Sequence, residues 1–398
     1  MAGMTKQAAA MQALTPDPGA QSSGWSEIRT LWPELGALSG CPQDPVHHAE
    51  GDAGTHTAMV LDELVRGDFW QGLEPEARFR LFWAAVFHDV GKPATTVHEA
   101  DGRITSHGHS RAGAGIARSL LREARIPLVL REEICSIVTF HQAPFWLFER
   151  EDWQKAAIRI SMSCSAEELV AHARADARGR ICADMQDMLD RTSLSEAAFD
   201  EIGALGEPFR FANPESRFAY FEKEDRSPWH AAHEDYRCQV TLVCGLPGTG
   251  KDTWIGRNMP DVPCVSLDQV RLQLGVSPED NQGQVIQEGF EQARVHLRAR
   301  RDFVWNATNV TRSNREKVIR LARDYGARIR IVYLEVAPDV LLDQNGRREA
   351  AVPPAAIARL ARKLEPPHAS EAHEVVWISD GEKVFGTGTQ PAAAQPSP

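Results

Sequence analysis

Paired cysteines, an excess of positive charge and long apolar runs are all missing from this chain, and each absence excludes something. Seven cysteines are scattered from Cys41 to Cys264, an odd number with no Cys-x-x-Cys pair. A disulfide framework and a zinc ribbon both need paired spacings, so neither is expected. No apolar run approaches the ~20 residues that span a bilayer, and Met1 to Ser23 lack the apolar core of a secretion signal. A cytoplasmic protein is expected. The formal net charge of −11 excludes an indiscriminate nucleic-acid binder; a polynucleotide would need a locally basic surface. Residues 311–330 offer one in Arg312, Arg315, Lys317, Arg320, Arg323, Arg328 and Arg330.

What is present divides the chain in two. The 398 residues suffice for two or three domains. Nine of the fourteen histidines lie between His47 and His172, in a segment with helical periodicity and little strand alternation. An all-α domain over residues 24–207 is expected. Residues 208–237, charged and aromatic without a clean period, read as a linker. Strand-like runs then alternate with helical ones: Gln239–Cys244, Val262–Ser266, Phe303–Trp305, Ile329–Leu334 and Val375–Ile378. That alternation predicts an α/β domain with a parallel sheet over 238–382. The ends, 1–23 and 383–398, are Ala/Pro/Gly/Ser-rich and are expected to be disordered.

Gly245-Leu246-Pro247-Gly248-Thr249-Gly250-Lys251-Asp252-Thr253 follows the first strand and precedes a helix. Backbone N–H groups of such a loop cradle phosphates, the helix N-terminus adds its positive end, and Lys251 reaches the outer phosphates. Asp252 stands where Ser or Thr usually binds Mg²⁺; it or Thr253 would take that place. Gly245, Gly248, Thr249, Gly250, Lys251, Asp252 and Thr253 are the candidate nucleotide-binding residues. After the second strand, Asp268 sits where a carboxylate accepts a proton from an attacking hydroxyl, and Arg271 follows to grip a substrate phosphate. A Mg²⁺-ligand role for Asp268 is the alternative. Thr308-Asn309 ends the third strand, which lacks the acidic end of a motor ATPase. Arg347 and Arg348 precede Val352-Pro353, where a lid would close over the transferring phosphate.

In the first half, His88-Asp89 closes an apolar helix, with Gly91-Lys92 just beyond. A His beside an Asp supplies two ligands to a divalent ion. His56, His109, His141 and Asp176 are the further candidate ligands, and Lys92 the candidate phosphate contact. His172, four residues before Asp176, reads as an ordinary core histidine; His47 and His48 are at most substrate contacts.

These residues carry two resemblances. Gly245 to Thr253, the Asp268-x-x-Arg271 pair, the Thr308-Asn309 turn and the arginines before Val352-Pro353 resemble the 5′-hydroxyl polynucleotide kinases. That resemblance implies Lys251 on the donor phosphates, Asp268 as general base, Arg271 on the acceptor strand and Arg347 or Arg348 in the lid. His88-Asp89-Val90-Gly91-Lys92-Pro93, Gly108-His109, His141 and Asp176-Ala177-Arg178-Gly179 resemble the HD phosphohydrolases, in the form found in bacterial tRNA nucleotidyltransferases. It implies His56, His88, Asp89 and Asp176 as core ligands, extended by His109 and His141. The two halves together are similar to the bacterial HD-domain polynucleotide kinases, which heal RNA ends. That implies an ATP- and Mg²⁺-dependent 5′-hydroxyl kinase joined to a phosphohydrolase for 2′,3′-cyclic, 2′- or 3′-phosphate ends, using Mn²⁺ or another transition metal. RNA ends, possibly DNA ends, would be the substrate, with a separate ligase downstream. Two other readings stand: a small-nucleotide kinase fused to an HD nucleotidase, and an ATP-gated signalling protein.

Overall fold

The computed structural model describes residues 4–223, 225–277, 280–348 and 350–387. The chain divides into two compact units between Phe209 and Arg210.

The first unit is helical around Pro75–Phe87, in which Phe79 and every residue from Leu81 to Phe87 are buried. A helix apolar on all sides has to be central. Ala53–Arg66, Leu128–Phe140 and Ala166–Arg178 pack about it. Aromatic edges fill the gaps: Trp83 meets Trp32 at 6.2 Å between centroids and Trp70 meets Phe82 at 5.9 Å. The only strands among the described residues of this unit form a small hairpin, β1 (Val97–His98) with β2 (Ile104–Thr105).

The expectation of disorder over 1–23 fails for the described part. Lys6–Leu14 is a helix capped by Thr5, and Met11 is completely buried. Thr5 Oγ1 donates to the Ala124 carbonyl (2.8 Å) and Trp83 Nε1 donates to Thr15 Oγ1 (3.0 Å). Alanine and glutamine are good helix formers, and one docked methionine fixes the segment. Composition alone read it as a tail.

The second unit is a six-stranded sheet. Its strands are β3 (Gln239–Cys244), β4 (Cys264–Ser266), β5 (Phe303–Asn306), β6 (Arg328–Glu335), β7 (Glu374–Ser379) and β8 (Glu382–Gly386). Their order is β4-β5-β3-β6-β7-β8, parallel except for the antiparallel β8. Leu242 lies between Trp305 and Ile331, both buried. Strands covered on both faces are apolar throughout, which is why five of the six were legible as short apolar runs. β8 overturns expected disorder at residues 383–386, where Phe385 lies 4.7 Å from the Trp377 ring. Residues 388–398 lie outside the described residues. The segment read as a linker contains the helix Pro214–Glu222, capped by Asn213. It packs within the second unit: Arg217 donates to the His373 carbonyl and the Phe218 ring stacks near His373 at 4.3 Å.

The crossover from β3 to β4 goes to one side of β3 and β6 lies on the other. The strand order therefore switches at β3, and the crevice beyond its carboxyl end is where such sheets bind ligands.

Candidate active sites

The central helix Pro75–Phe87 ends by delivering His88 and Asp89 into the interior of the first unit. Gly91 follows, against the start of helix His109–Glu123. A Cβ on Gly91 would lie 2.1 Å from the His109 carbonyl oxygen. Only glycine permits this approach, and the approach brings His109 to Asp89. His141 caps helix Leu128–Phe140, and Asp176 and His56 lie on facing helices. All six predicted ligands are thus brought together and all are buried.

The orientation of the rings decides what they can do. His88 Nδ1 faces the Ala85 carbonyl (2.7 Å), His109 Nδ1 the Ser106 carbonyl (2.8 Å) and His141 Nδ1 the Val138 carbonyl (2.8 Å). A carbonyl only accepts, so each Nδ1 must donate, which turns each Nε2 inward; in the neutral tautomer that Nε2 carries the lone pair that a metal ligand needs. The His109 and His141 Nε2 atoms then face each other at 3.3 Å, and His88 Nε2 faces Asp89 Oδ2 at 3.2 Å. Burial pushes His141 well below the ordinary histidine range and lowers His109 too. Inward Nε2 atoms beside carboxylate oxygens make a donor set for a cation. His56, His88 and Asp176 form one convergent donor group and Asp89, His109 and His141 another. Asp89 links them, with Oδ2 3.9 Å from His56 Nε2 and Oδ1 3.5 Å from His109 Nε2. Mixed imidazole and carboxylate donors suit a transition metal, and the residues fit one or two such ions.

Cations already balance the two carboxylates. Burial opposes ionisation of Asp89, but His88 and Lys92 hold its pKa well below the usual range; Lys92 Nζ is 2.7 Å from Oδ2. Asp176 is held low against burial by Arg180, whose Nη2 lies 2.9 Å from both oxygens. Lys92 and Arg180 also line an open pocket of about 400 Å³ with Gln43, His48, His109 and Trp146. Lys92, the candidate phosphate contact, thus lines this pocket.

Sequence reasoning gave Glu50 and Arg180 no role here, and it took His172 for an ordinary core residue. Glu50 Oε1 lies 3.1 Å from His56 Nδ1 and 2.8 Å from His48 Nδ1. It supports His56 from behind, and with Asp176 it outweighs burial to raise the His56 pKa. Burial lowers His48 to about 4. His172 is not an ordinary core histidine. Its ring is fully buried, 5.3 Å from His88 and 5.9 Å from His141, and neither nitrogen has a hydrogen-bond partner among the described residues. Its spacing of four from Asp176, like that of Arg180, was the available signal.

In the second unit, the loop from Gly245 leads from β3 into helix Lys251–Asn258. Gly245 has φ +150°, and a Cβ there would meet the Leu334 carbonyl at 2.5 Å. The Gly245 N–H donates to the Thr308 carbonyl (3.0 Å), so the Thr308-Asn309 turn braces the loop. Lys251 Nζ donates to the Gly245 and Leu246 carbonyls, both at 3.0 Å, and desolvation lowers its pKa to about 8. Asp252 accepts from Asn306 Nδ2 at 2.6 Å. Asp268, at the start of helix Leu267–Leu274, is mostly exposed and pairs with Arg271. Arg348 lies 3.9 Å from its other oxygen. Arg347 points elsewhere, to Asp343 at 2.7 Å. The sequence pair Arg347/Arg348 is thereby separated.

The basic surface expected over 311–330 is not one surface. Arg315 is buried against Glu371, Arg320 pairs with Glu316, Arg323 with Glu222, and Arg328 and Arg330 with Glu374. The segment runs from a helix into β6, and its arginines pair with Glu316 inside it and with Glu222, Glu371 and Glu374 far from it in sequence.

The sequence profile described as HD domain matches residues 55–177, and the one described as AAA domain matches residues 240–367. The chain carries a helical unit that matches the HD-domain profile, followed by a mostly parallel α/β unit whose phosphate-binding loop falls within the AAA-domain match. It is 40% identical over 114 residues to the multifunctional CCA protein of Halorhodospira halophila, covering 29% of this chain and 25% of that protein. It is 37% identical over 115 residues to the corresponding protein of Methylococcus capsulatus, covering 29% and 24%. The chain thus spans about a quarter of the length of these curated relatives. Among solved structures, a gluconokinase from Sinorhizobium meliloti is similar at 17% identity and a TM-score of 0.26, covering 40% of this chain and 87% of that one. A sugar kinase from Janibacter gives 15% and 0.28, covering 36% and 85%. Scores this low say nothing of substrate. Among the described residues no helix is long and apolar enough to cross a membrane.

Proposed function

We propose that the protein repairs nucleic-acid ends, RNA above all, by two reactions. The second unit transfers the γ-phosphoryl of ATP to a 5′-hydroxyl, and the first removes 2′,3′-cyclic, 2′- or 3′-phosphates. The observation that carries the reading is the inward set of Nε2 lone pairs and carboxylates beneath a cation-lined pocket, in a chain that also holds a phosphate-donor loop.

In the first unit, His56, His88, Asp89, Asp176, His109 and His141 would hold divalent ions of the Mn²⁺ type. Such ions supply an activated water and charge neutralisation at the leaving oxygen. Lys92 and Arg180 meet the entering phosphate from the pocket floor, each tethered by its own carboxylate. Glu50 fixes the His56 ring so that its Nε2 keeps its aim. In the second unit the loop amides and Lys251 bind the ATP phosphates, and Asp252 or Thr253 supports Mg²⁺. Asp268 accepts the proton of the 5′-hydroxyl as its oxygen bonds to phosphorus. Arg271 orients the acceptor phosphate and Arg348 neutralises the transferring group.

Acceptor length separates this reading from a small-nucleotide kinase. With ATP and Mg²⁺, kcat/KM for a 5′-hydroxyl oligoribonucleotide is expected to exceed that for a mononucleoside by at least tenfold, because Arg271 grips a phosphate only the oligomer has. Equal values would favour the small-nucleotide reading.

A further inference from the structure

The pocket above His109 and Lys92 has an aromatic wall. Trp146 lines it and is 44% exposed, though its neighbours Pro144 and Phe145 are buried. Ser195 Oγ donates to the Pro144 carbonyl at 2.7 Å, which anchors the short helix Ala143–Trp146. The Arg191 guanidinium lies over the Trp146 ring, 5.0 Å from its centroid, and is itself held by Glu149 and Asp187. Arg191 does not line the pocket. It lies over the indole and holds it in place. Ile104 and Met188 also line the pocket. Phosphohydrolysis alone needs only the cationic floor. An exposed indole in a pocket wall is apolar surface that a bound ligand can cover.

We infer that Trp146 is a stacking platform for the base of the terminal nucleotide, placed so that a phosphate on that nucleotide's ribose reaches Lys92 and Arg180. A π-face accepts any base, so the site recognises a nucleoside phosphate without reading its sequence. Arg191 holds the ring in place before the ligand arrives, which lowers the ordering cost of stacking. The inference rests on the phosphohydrolase reading of the pocket and adds its substrate class.

The test is phosphate release by the full-length, Mn²⁺-loaded protein from adenosine 3′-phosphate and from 1-deoxyribose 3-phosphate, which lacks the base. Stacking is expected to raise kcat/KM for the adenosine compound by roughly 5- to 150-fold. Trp146→Ala is expected to remove that advantage, mostly through KM, and to leave the base-free substrate unchanged. Trp146→Phe should restore most of it. Release from both substrates at equal kcat/KM overturns the platform and leaves the phosphohydrolase standing. A Trp146→Ala variant that slows both substrates equally also overturns it, because that marks a structural role. No release from either substrate defeats the phosphohydrolase reading and the platform together.

Discussion

His109 and His141 illustrate how much of the chemistry is set one side chain at a time. Each is unremarkable by spacing, yet a backbone carbonyl fixes each Nδ1 and leaves two lone pairs 3.3 Å apart. The sequence supplied the residue types; the tautomers come from main-chain geometry no spacing encodes. The arginines near Val352 show the same limit. Arg348→Ala is expected to lower kinase kcat/KM on the order of 10²-fold, as loss of a charge-stabilising group does. Arg347→Ala should change it less than about threefold, because an exposed pair such as Arg347–Asp343 contributes little. Steady-state kinetics on the two variants checks this. His373 makes a different prediction. Its Nδ1 accepts from the Ile329 N–H (2.9 Å), so protonation would break that bond, and burial lowers its pKa from 6.5 to about 3. The unfolded chain therefore binds a proton that the fold refuses, between pH 6.5 and about 3. Stability is fully present above that window and falls as pH drops through it, by up to about 1.4 kcal/mol per unit. Arg328 and Arg217 nearby act in the same direction as burial. Urea unfolding of the full chain at pH 7 and pH 5 should show a smaller acid loss for His373→Gln than for the natural protein.

At the scale of elements, legibility followed burial. β3, β5, β6 and β7 are buried over most of their length and read as continuous apolar runs. β8 opens with exposed Glu382 and Lys383, an edge strand whose polarity hid it. Helix Lys6–Leu14 buries one residue and shows no apolar stripe. The contact of Gly91 with helix His109–Glu123 was equally invisible, since a close approach leaves no periodic trace. It is nonetheless what joins two elements into one site. Gly91→Ala should push that helix away, costing roughly 1–3 kcal/mol as overpacking does. Phosphate release is expected to fall more than tenfold with lowered Mn²⁺ content, while kinase activity stays within about twofold. Unchanged metal content in the purified variant would refute the role given to Gly91.

On the proposed function, the molecule joins a unit that holds phosphate donors to one that strips phosphates. Each unit has its own core and its own polar constellation: His56, His88, Asp89 and Asp176 in one, Lys251, Asp268 and Arg348 in the other. Two such halves make sense on a broken strand, which needs a phosphate gained at one end and lost at the other. The most direct measurement offers the protein γ-labelled ATP, Mg²⁺ and Mn²⁺ with a short RNA bearing a 5′-hydroxyl and a 2′,3′-cyclic phosphate, and follows both ends. The natural protein is expected to label the 5′ end and free the 3′ end. Asp268→Ala should lose only the labelling, and Asp89→Ala only the release. Failure of the natural protein to act at either end, or loss of both activities from either substitution in a folded protein, would contradict the account.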